Sequence, residues 1–188
     1  TDSDNNGLSD RKEVYPSGAP YDPAGAAPNP ADTDGDGIPD YADPDNDGDS
    51  LPDKDELFGG TAIDTDDDGI PDLDDTDSDA DTIGDAFEGQ TDQENDGLPA
   101  FRDPDSDNDG LSDACEAGKN HQLADPPVDT DSDGKYDFLD LDSDADGLLD
   151  AEEDANKNCV VDDGETDARV ADTDNDGTND FIETVLGS

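Results

Sequence analysis

The sequence predicts an irregular repeat array with little regular secondary structure, short helical turns and no large hydrophobic core. Three observations carry that expectation. Only 28% of the 188 residues are hydrophobic, Met and Trp are absent, and the formal net charge is -51, a composition that by itself belongs to disordered chains. The carboxylates are nonetheless periodic. Eleven twelve-residue windows, starting at Asp2, Asp32, Asp45, Asp64, Asp77, Asp92, Asp105, Asp129, Asp142, Asp154 and Asp172, follow D-x-D-x-D-G-x-x-D-x-x-[D/E]. Finally, no run is long enough for a packed helix, and prolines at the eighth window position (Pro39, Pro52, Pro71, Pro99) argue against sheet interiors.

Positions 1, 3, 5, 9 and 12 of the eleven windows make 55 places, and these hold 51 of the 59 Asp and Glu. The eight acids elsewhere (Asp22, Asp55, Asp67, Asp74, Asp125, Glu152, Asp163, Asp167) equal the eight Lys and Arg in number, so the whole net charge sits at the periodic positions. An acidic solvating tail would scatter its acids instead. Alternating carboxylates followed by glycine present oxygens to a hard divalent cation, while the glycine lets the backbone turn back around it. Calcium is therefore the expected cofactor. A chain with so little to bury needs such a source of folding energy.

In chain order, residues 1–14 hold a partial repeat with Asp2, Asp4, Asn6, Asp10 and Glu13 as expected ligands. The chain opens inside this loop, so it is expected to be cut from a longer polypeptide. Residues 15–31, rich in Pro, Ala and Gly, should run extended as a spacer. The first repeat pair, 32–56, offers Asp32, Asp34, Asp36, Asp40 and Asp43, then Asp45, Asp47, Asp49, Asp53 and Glu56. The second, 64–88, offers Asp64, Asp66, Asp68, Asp72 and Asp75, then Asp77, Asp79, Asp81, Asp85 and Glu88. The third, 92–116, offers Asp92, Glu94, Asp96 and Asp103, with Ala100 at the ninth position, then Asp105, Asp107, Asp109, Asp113 and Glu116. After a linker at 117–128, the segment 129–165 holds a fourth pair and an extra loop. The pair offers Asp129, Asp131, Asp133, Asp137 and Asp140, then Asp142, Asp144, Asp146, Asp150 and Glu153. The extra loop offers Asp154, Asn156, Asn158, Asp162 and Glu165; with two amides among its ligands and Cys159 in the glycine place, it should bind more weakly. A terminal loop, 172–183, offers Asp172, Asp174, Asp176, Asp180 and Glu183.

The two members of a pair differ. First-type windows end in Asp and carry a bulky apolar residue at position 10 (Tyr41, Leu73, Phe101, Phe138); second-type windows end in Glu. The apolar residues at positions 7 and 10 should form small clusters between loops. Helical turns should follow position 9 of the Glu-ending windows, as in DKDELFGG, whose glycines suit a helix C-cap. Asp43, Asp75, Asp103 and Asp140 each close one window a single residue before the next opens, so they are expected to bridge neighbouring ions. One ion per window would leave a formal -29, and more than eleven calcium ions are expected.

Three calcium-loop families compete for this pattern. EF-hands and dockerins need a helix of about ten residues on each side of the loop, which the offset within a pair forbids. Their buried aliphatic sits at position 8, whereas here it sits at position 7 (Leu8, Ile38, Leu51, Ile70, Ile83, Leu98, Leu111, Leu148, Val160). The nonapeptide GGxGxDxUx is absent. The paired pattern D-x-D-x-D-G-[I/L]-x-D-x-x-[D/E], with cysteine in SDACE, resembles the thrombospondin type 3 repeat from residue 2 to residue 183, linkers apart. That resemblance implies a chain wrapped around many calcium ions, in extracellular or bacterial surface proteins. The sequence departs from the family in having few cysteines and in placing Cys159 off the usual position. Cys115 and Cys159 are expected to form a disulfide in an oxidising compartment.

Catalysis is not expected, because a chain with 59 acids offers carboxylate pairs everywhere and its one histidine, His121, reads as a solvated linker residue. The charge disfavours nucleic acid. There is no 18-residue apolar run for membrane insertion and no leader pattern. The function expected is a multi-site calcium-binding structural module, extracellular or at the cell surface: a stalk, spacer or fibre segment of an adhesion protein that stiffens on binding calcium. The alternatives are a calcium reservoir or buffer without mechanical role, and a self-assembling subunit of a surface filament. Expected partners are calcium ions, other copies of the chain and other surface proteins.

Overall fold

The computed structural model describes residues 2–9, 31–118 and 121–187. The expected ligands Asp10 and Glu13, and the spacer except Ala31, lie outside the described residues. All eleven windows share one backbone signature, a left-handed residue at positions 4 and 6. It runs from Asn5 (φ 67°) and Gly7 (103°) in the first window to Asn175 (59°) and Gly177 (98°) in the last. Where position 6 is not glycine, Ser50, Thr82 and Cys159 are still held at positive φ. A side-chain-bearing residue costs about 1–2 kcal/mol there, so the windows hold their shape against that strain.

Among the described residues, regular structure is confined to short turns that begin at position 9. The Glu-ending windows of the four pairs form one α-helical turn each: Asp53–Glu56, Asp85–Glu88, Asp113–Glu116 and Asp150–Glu153, whereas the extra loop, ending in Glu165, forms none. Asp-ending windows form 3-10 turns instead: Asp40–Ala42, Asp72–Asp74, Ala100–Arg102 and Asp137–Leu139. The closing Asp of a first-type window has already left the turn, as at Asp43 (φ -99°, ψ 128°). The longest element is Asp180–Leu186, capped by the Asn179 side chain on the Ile182 N–H. The described residues contain no strands, only an isolated bridge between Phe58 and Thr61. That bridge corrects one expectation: Gly59 and Gly60 (φ 60° and 79°) make the tight turn inside it, and the preceding helical turn ends at Leu57 in extended backbone.

The apolar residues divide by window type, which the sequence did not show. Position 7 is buried in three second-type windows (Ile83, Leu111, Leu148), half-buried in the fourth (Leu51) and buried in the window at Asp2 (Leu8), yet in first-type windows Ile38, Ile70 and Leu98 are exposed. There the interior place is taken by position 10 on the 3-10 turn: Leu73, Phe101 and Phe138 are buried. One inward-facing residue per window suffices, and in these first-type windows the residue on the 3-10 turn takes that place. The buried Arg102 lays its guanidinium 4.5 Å from the Phe101 ring centroid.

The chain forms two compact units, Thr1–Ala80 with Gly84–Gln90, and Asp81–Ile83 with Thr91–Ser188. In the first, the turn Asp53–Glu56 packs on Asp72–Asp74; in the second, Asp113–Glu116 packs on Asp137–Leu139. The second unit contains the Cys115–Cys159 disulfide. Beside it Arg169 donates to the carbonyls of Cys115 (2.7 Å) and Glu116 (2.9 Å), satisfying the end of a helical turn. His121 is not a freely solvated linker residue: its Nδ1 lies 2.9 Å from the Thr82 carbonyl and its Nε2 is buried. No helix among the described residues is long and apolar enough to cross a membrane.

Candidate metal centres

Each window folds by bonding its own acids to its own backbone. The carboxylate at position 3 accepts the N–H of position 5, as Asp34 does from Asp36 (2.9 Å). Position 5 accepts from position 7, as Asp36 does from Ile38 (2.7 Å), and position 1 accepts from position 6, as Asp64 does from Gly69 (3.1 Å). These are Asx-type turns, and they pin one oxygen of each side chain while aiming the other into the loop.

Position 9 does something the sequence reading missed. Asp72 accepts both the N–H and the Oγ1–H of Thr65, at 2.8 Å each, and so clamps position 2 of its own window. Asp85 clamps Ser78 (2.9 and 2.6 Å), Asp150 clamps Ser143, and Asp137 clamps Thr130 in the same way. The signal was present as D-[S/T]-D at the start of most windows. Where position 9 is Ala100, position 2 is Gln93, whose amide goes to the Leu139 carbonyl instead.

The second oxygens are left without donors. Oδ2 of Asp4, Asp47, Asp49, Asp103, Asp107, Asp109 and Asp144, and both carboxylate oxygens of Glu116, are buried and accept no hydrogen bond. These are positions 3, 5 and 12. A buried carboxylate left this way costs several kcal/mol unless a cation meets it. Oxygens of Asp45, Asp47 and Asp49 lie within 4.8 Å of one another, and so do those of Asp32, Asp34 and Asp36 and of Asp64, Asp66 and Asp68. Oxygens bound to one calcium at about 2.3–2.6 Å stand no farther apart than about 5 Å, so these sets fit such an ion. The donors are all oxygen, which suits a hard cation. Cys115 and Cys159 lie near Asp154, but their sulfurs are joined to each other.

Electrostatics sharpen the demand. Burial first, and then Asp107, Asp109, Asp113 and Asp150, push Glu116 up to about 11. Burial and the facing acids likewise push Glu56 up to about 10, and Asp47 and Glu153 up to about 8. Without a cation these groups would hold protons at neutral pH.

The four junction residues lie between windows. Asp43, Asp75, Asp103 and Asp140 accept the N–H that opens the next window, at 3.2, 3.1, 3.2 and 3.4 Å. Asp43 also faces Asp34 and Asp36 of the window it closes. The extra loop is built differently: Asn156 donates to Asp162 (3.1 Å) and Glu165 (2.8 Å), Asn158 donates to Asp162 (2.9 Å), and Asp154 accepts the N–H groups of Asn158 and Cys159. It supplies internal donors where the other windows converge acceptors. Its Lys157 ammonium rests on the Asp109 carbonyl. No protein-family model matches this chain, and no curated protein is significantly similar to it.

Proposed function

We propose that this chain is a multi-site calcium-binding structural module of the thrombospondin type 3 kind, acting outside the cell as a stalk, spacer or fibre segment. The observation that carries the reading is the division of labour within the position-3 and position-5 carboxylates of second-type windows such as Asp47, Asp49 and Asp107, one oxygen bonded to its own loop and the other buried without a donor. That arrangement makes the interior a set of cation sites. It also favours a structural role over a reservoir. The largest buried side chains include Glu56, Glu153, Asp53, Asp85 and Asp113 alongside Phe101 and Phe138, so ion binding and folding are one event and the shape is its product.

An extracellular place follows from the ion and the redox state together. Modules of this class with dissociation constants of about 10⁻⁴–10⁻³ M fill only where calcium is millimolar, and the Cys115–Cys159 bridge persists only in an oxidising compartment. Small-angle scattering with millimolar calcium and with excess EDTA tests the reading. Chelation should expand the chain towards the dimensions of an unfolded polyanion. Equal radii of gyration in the two conditions would overturn it.

A further inference from the structure

In the first unit, Asp49 and Glu56 are the fifth and twelfth positions of one second-type window. Asp85, the ninth position of the second-type window in the following pair, brings a carboxylate oxygen within 4.8 Å of one from each, and all three side chains are buried. Asp85 arrives already oriented, because Ser78 holds it through its N–H and hydroxyl. Among the charges facing Glu56 are those of Asp47, Asp49, Asp53 and Asp85.

In the second unit the corresponding acids lie close enough to repel one another, Asp150 acting on Glu116 and Asp109 on Asp150. There Glu116 is only 4% exposed and both its oxygens lack a hydrogen-bond donor, as does Oδ2 of Asp109. Two natural contrasts bear on the same contact. In the window at Asp2 the fifth residue is Asn6, whose Nδ2 donates to Asp53 Oδ2 at 2.9 Å, so an amide closes the link that two carboxylates cannot. In the terminal window Asp174 and Asp176 are exposed, although it too ends in Glu.

We propose that Asp49, Glu56 and Asp85 form a divalent-cation site shared between successive repeat pairs, repeated at Asp109, Glu116 and Asp150, so that calcium cross-links the first pair to the second and the third to the fourth. The inference rests on the calcium reading above and adds to it a ligand from outside the window. A carboxylate has about four lone-pair sites, so Asp85 serves its serine clamp and an ion together. Filling is then cooperative along the chain, because a second-type window lacks part of its ligand set until the following pair has folded.

The test uses the full chain and its Asp85→Asn variant. Asparagine keeps an oxygen for the Ser78 N–H and an amide for the Ser78 hydroxyl, while the charge facing Asp49 and Glu56 is removed. Asp40→Asn is the control, since it changes the ninth position of a first-type window with the same clamp on Thr33. Ions counted by native mass spectrometry, with calorimetric affinities, should show Asp85→Asn weakening the window at Asp45 about tenfold or more and Asp40→Asn leaving it unchanged. Asp150→Asn should do the same to the window at Asp105. Wild-type ion counts and affinities in both variants, or losses confined to the windows that carry the changes, would overturn the shared site. An anomalous calcium map of the wild-type chain decides without any variant: an ion bonded to Asp49, Glu56 and Asp85 supports the proposal, and an ion held by the Asp45 window alone refutes it. A wild-type chain that takes up no calcium would remove the calcium reading itself.

Discussion

First-type and second-type windows spell nearly the same carboxylate pattern and occupy opposite environments. At position 5, Asp36, Asp68, Asp96 and Asp133 of the first type are exposed, whereas Asp49 and Asp81 of the second are buried and Asp109 and Asp146 half-buried. At position 12 the second type places Glu56, Glu88, Glu116 and Glu153 in the interior. The difference is not intrinsic to a closing glutamate. The terminal window has Glu183 and leaves Asp174 and Asp176 in solvent. Burial follows from what packs on the window: Asp85 reaches Asp49, Asp150 reaches Asp109, and the Phe181 N–H donates to Asp146 Oδ2 at 2.8 Å. First-type windows leave their fifth positions in solvent and bury only the turn that follows, as at Leu73, Phe101 and Phe138, whereas second-type windows also draw the loop itself inward.

The largest expected effect separates the two types at a ligand. Glu116→Gln removes a charge from a buried set of donorless oxygens and should cost on the order of 100-fold in calcium affinity, with loss of protease resistance in the second unit. Asp68→Asn, in an exposed window, should weaken one ion and leave proteolysis unchanged. Equal losses in the two variants would erase the distinction.

Proton linkage probes the same interior without mutation. Acids whose pKa values are raised by folding bind more protons folded than unfolded, so their contribution is fully present below the unfolded values near 4 and is lost as pH rises through the folded ones. Those folded values are about 6 at Asp103 and Asp144, about 7 at Asp53, Asp85, Asp107 and Asp150, and about 8 to 11 at Asp47, Glu153, Glu56 and Glu116. In chelator the chain should therefore be more compact at pH 4 than at pH 8. In saturating calcium its dimensions should be the same at pH 6 and pH 8, because the ion replaces the proton. Dynamic light scattering across that range reads both; a chelated chain as compact at pH 8 as at pH 4 would remove the linkage.

The smallest contrast is apolar. Leu111→Ala, at the buried seventh position of a second-type window, should cost about 2–5 kcal/mol in calcium-saturated denaturant unfolding. Leu98→Ala, at the exposed seventh position of a first-type window, should fall within about 0.5 kcal/mol. Equal costs would mean that the exposed row packs in solution.

Periodicity made much of this legible in advance. The windows, their glycine turns and the short helical turns at position 9 follow from local chemistry, because an Asx turn or a left-handed residue is decided within a few residues of chain. Position 4 was missed because Asn, Asp, Ala, Ser, Lys and Gly all occupy it at positive φ, so no single residue type marks it. The clamp was missed because D-[S/T]-D reads as ligand spacing until Thr65 or Ser78 is seen donating to position 9. The sequence by itself determined where each carboxylate stands along its loop and which oxygen its own backbone pins. Only the tertiary structure decided which loops are buried, why Ile83 is interior while Ile70 is not, and that Asp85 lies beside Asp49 and Glu56. The reason is range: hydrogen bonds two to seven residues long are written into each repeat, whereas burial depends on which other repeat comes to lie on top.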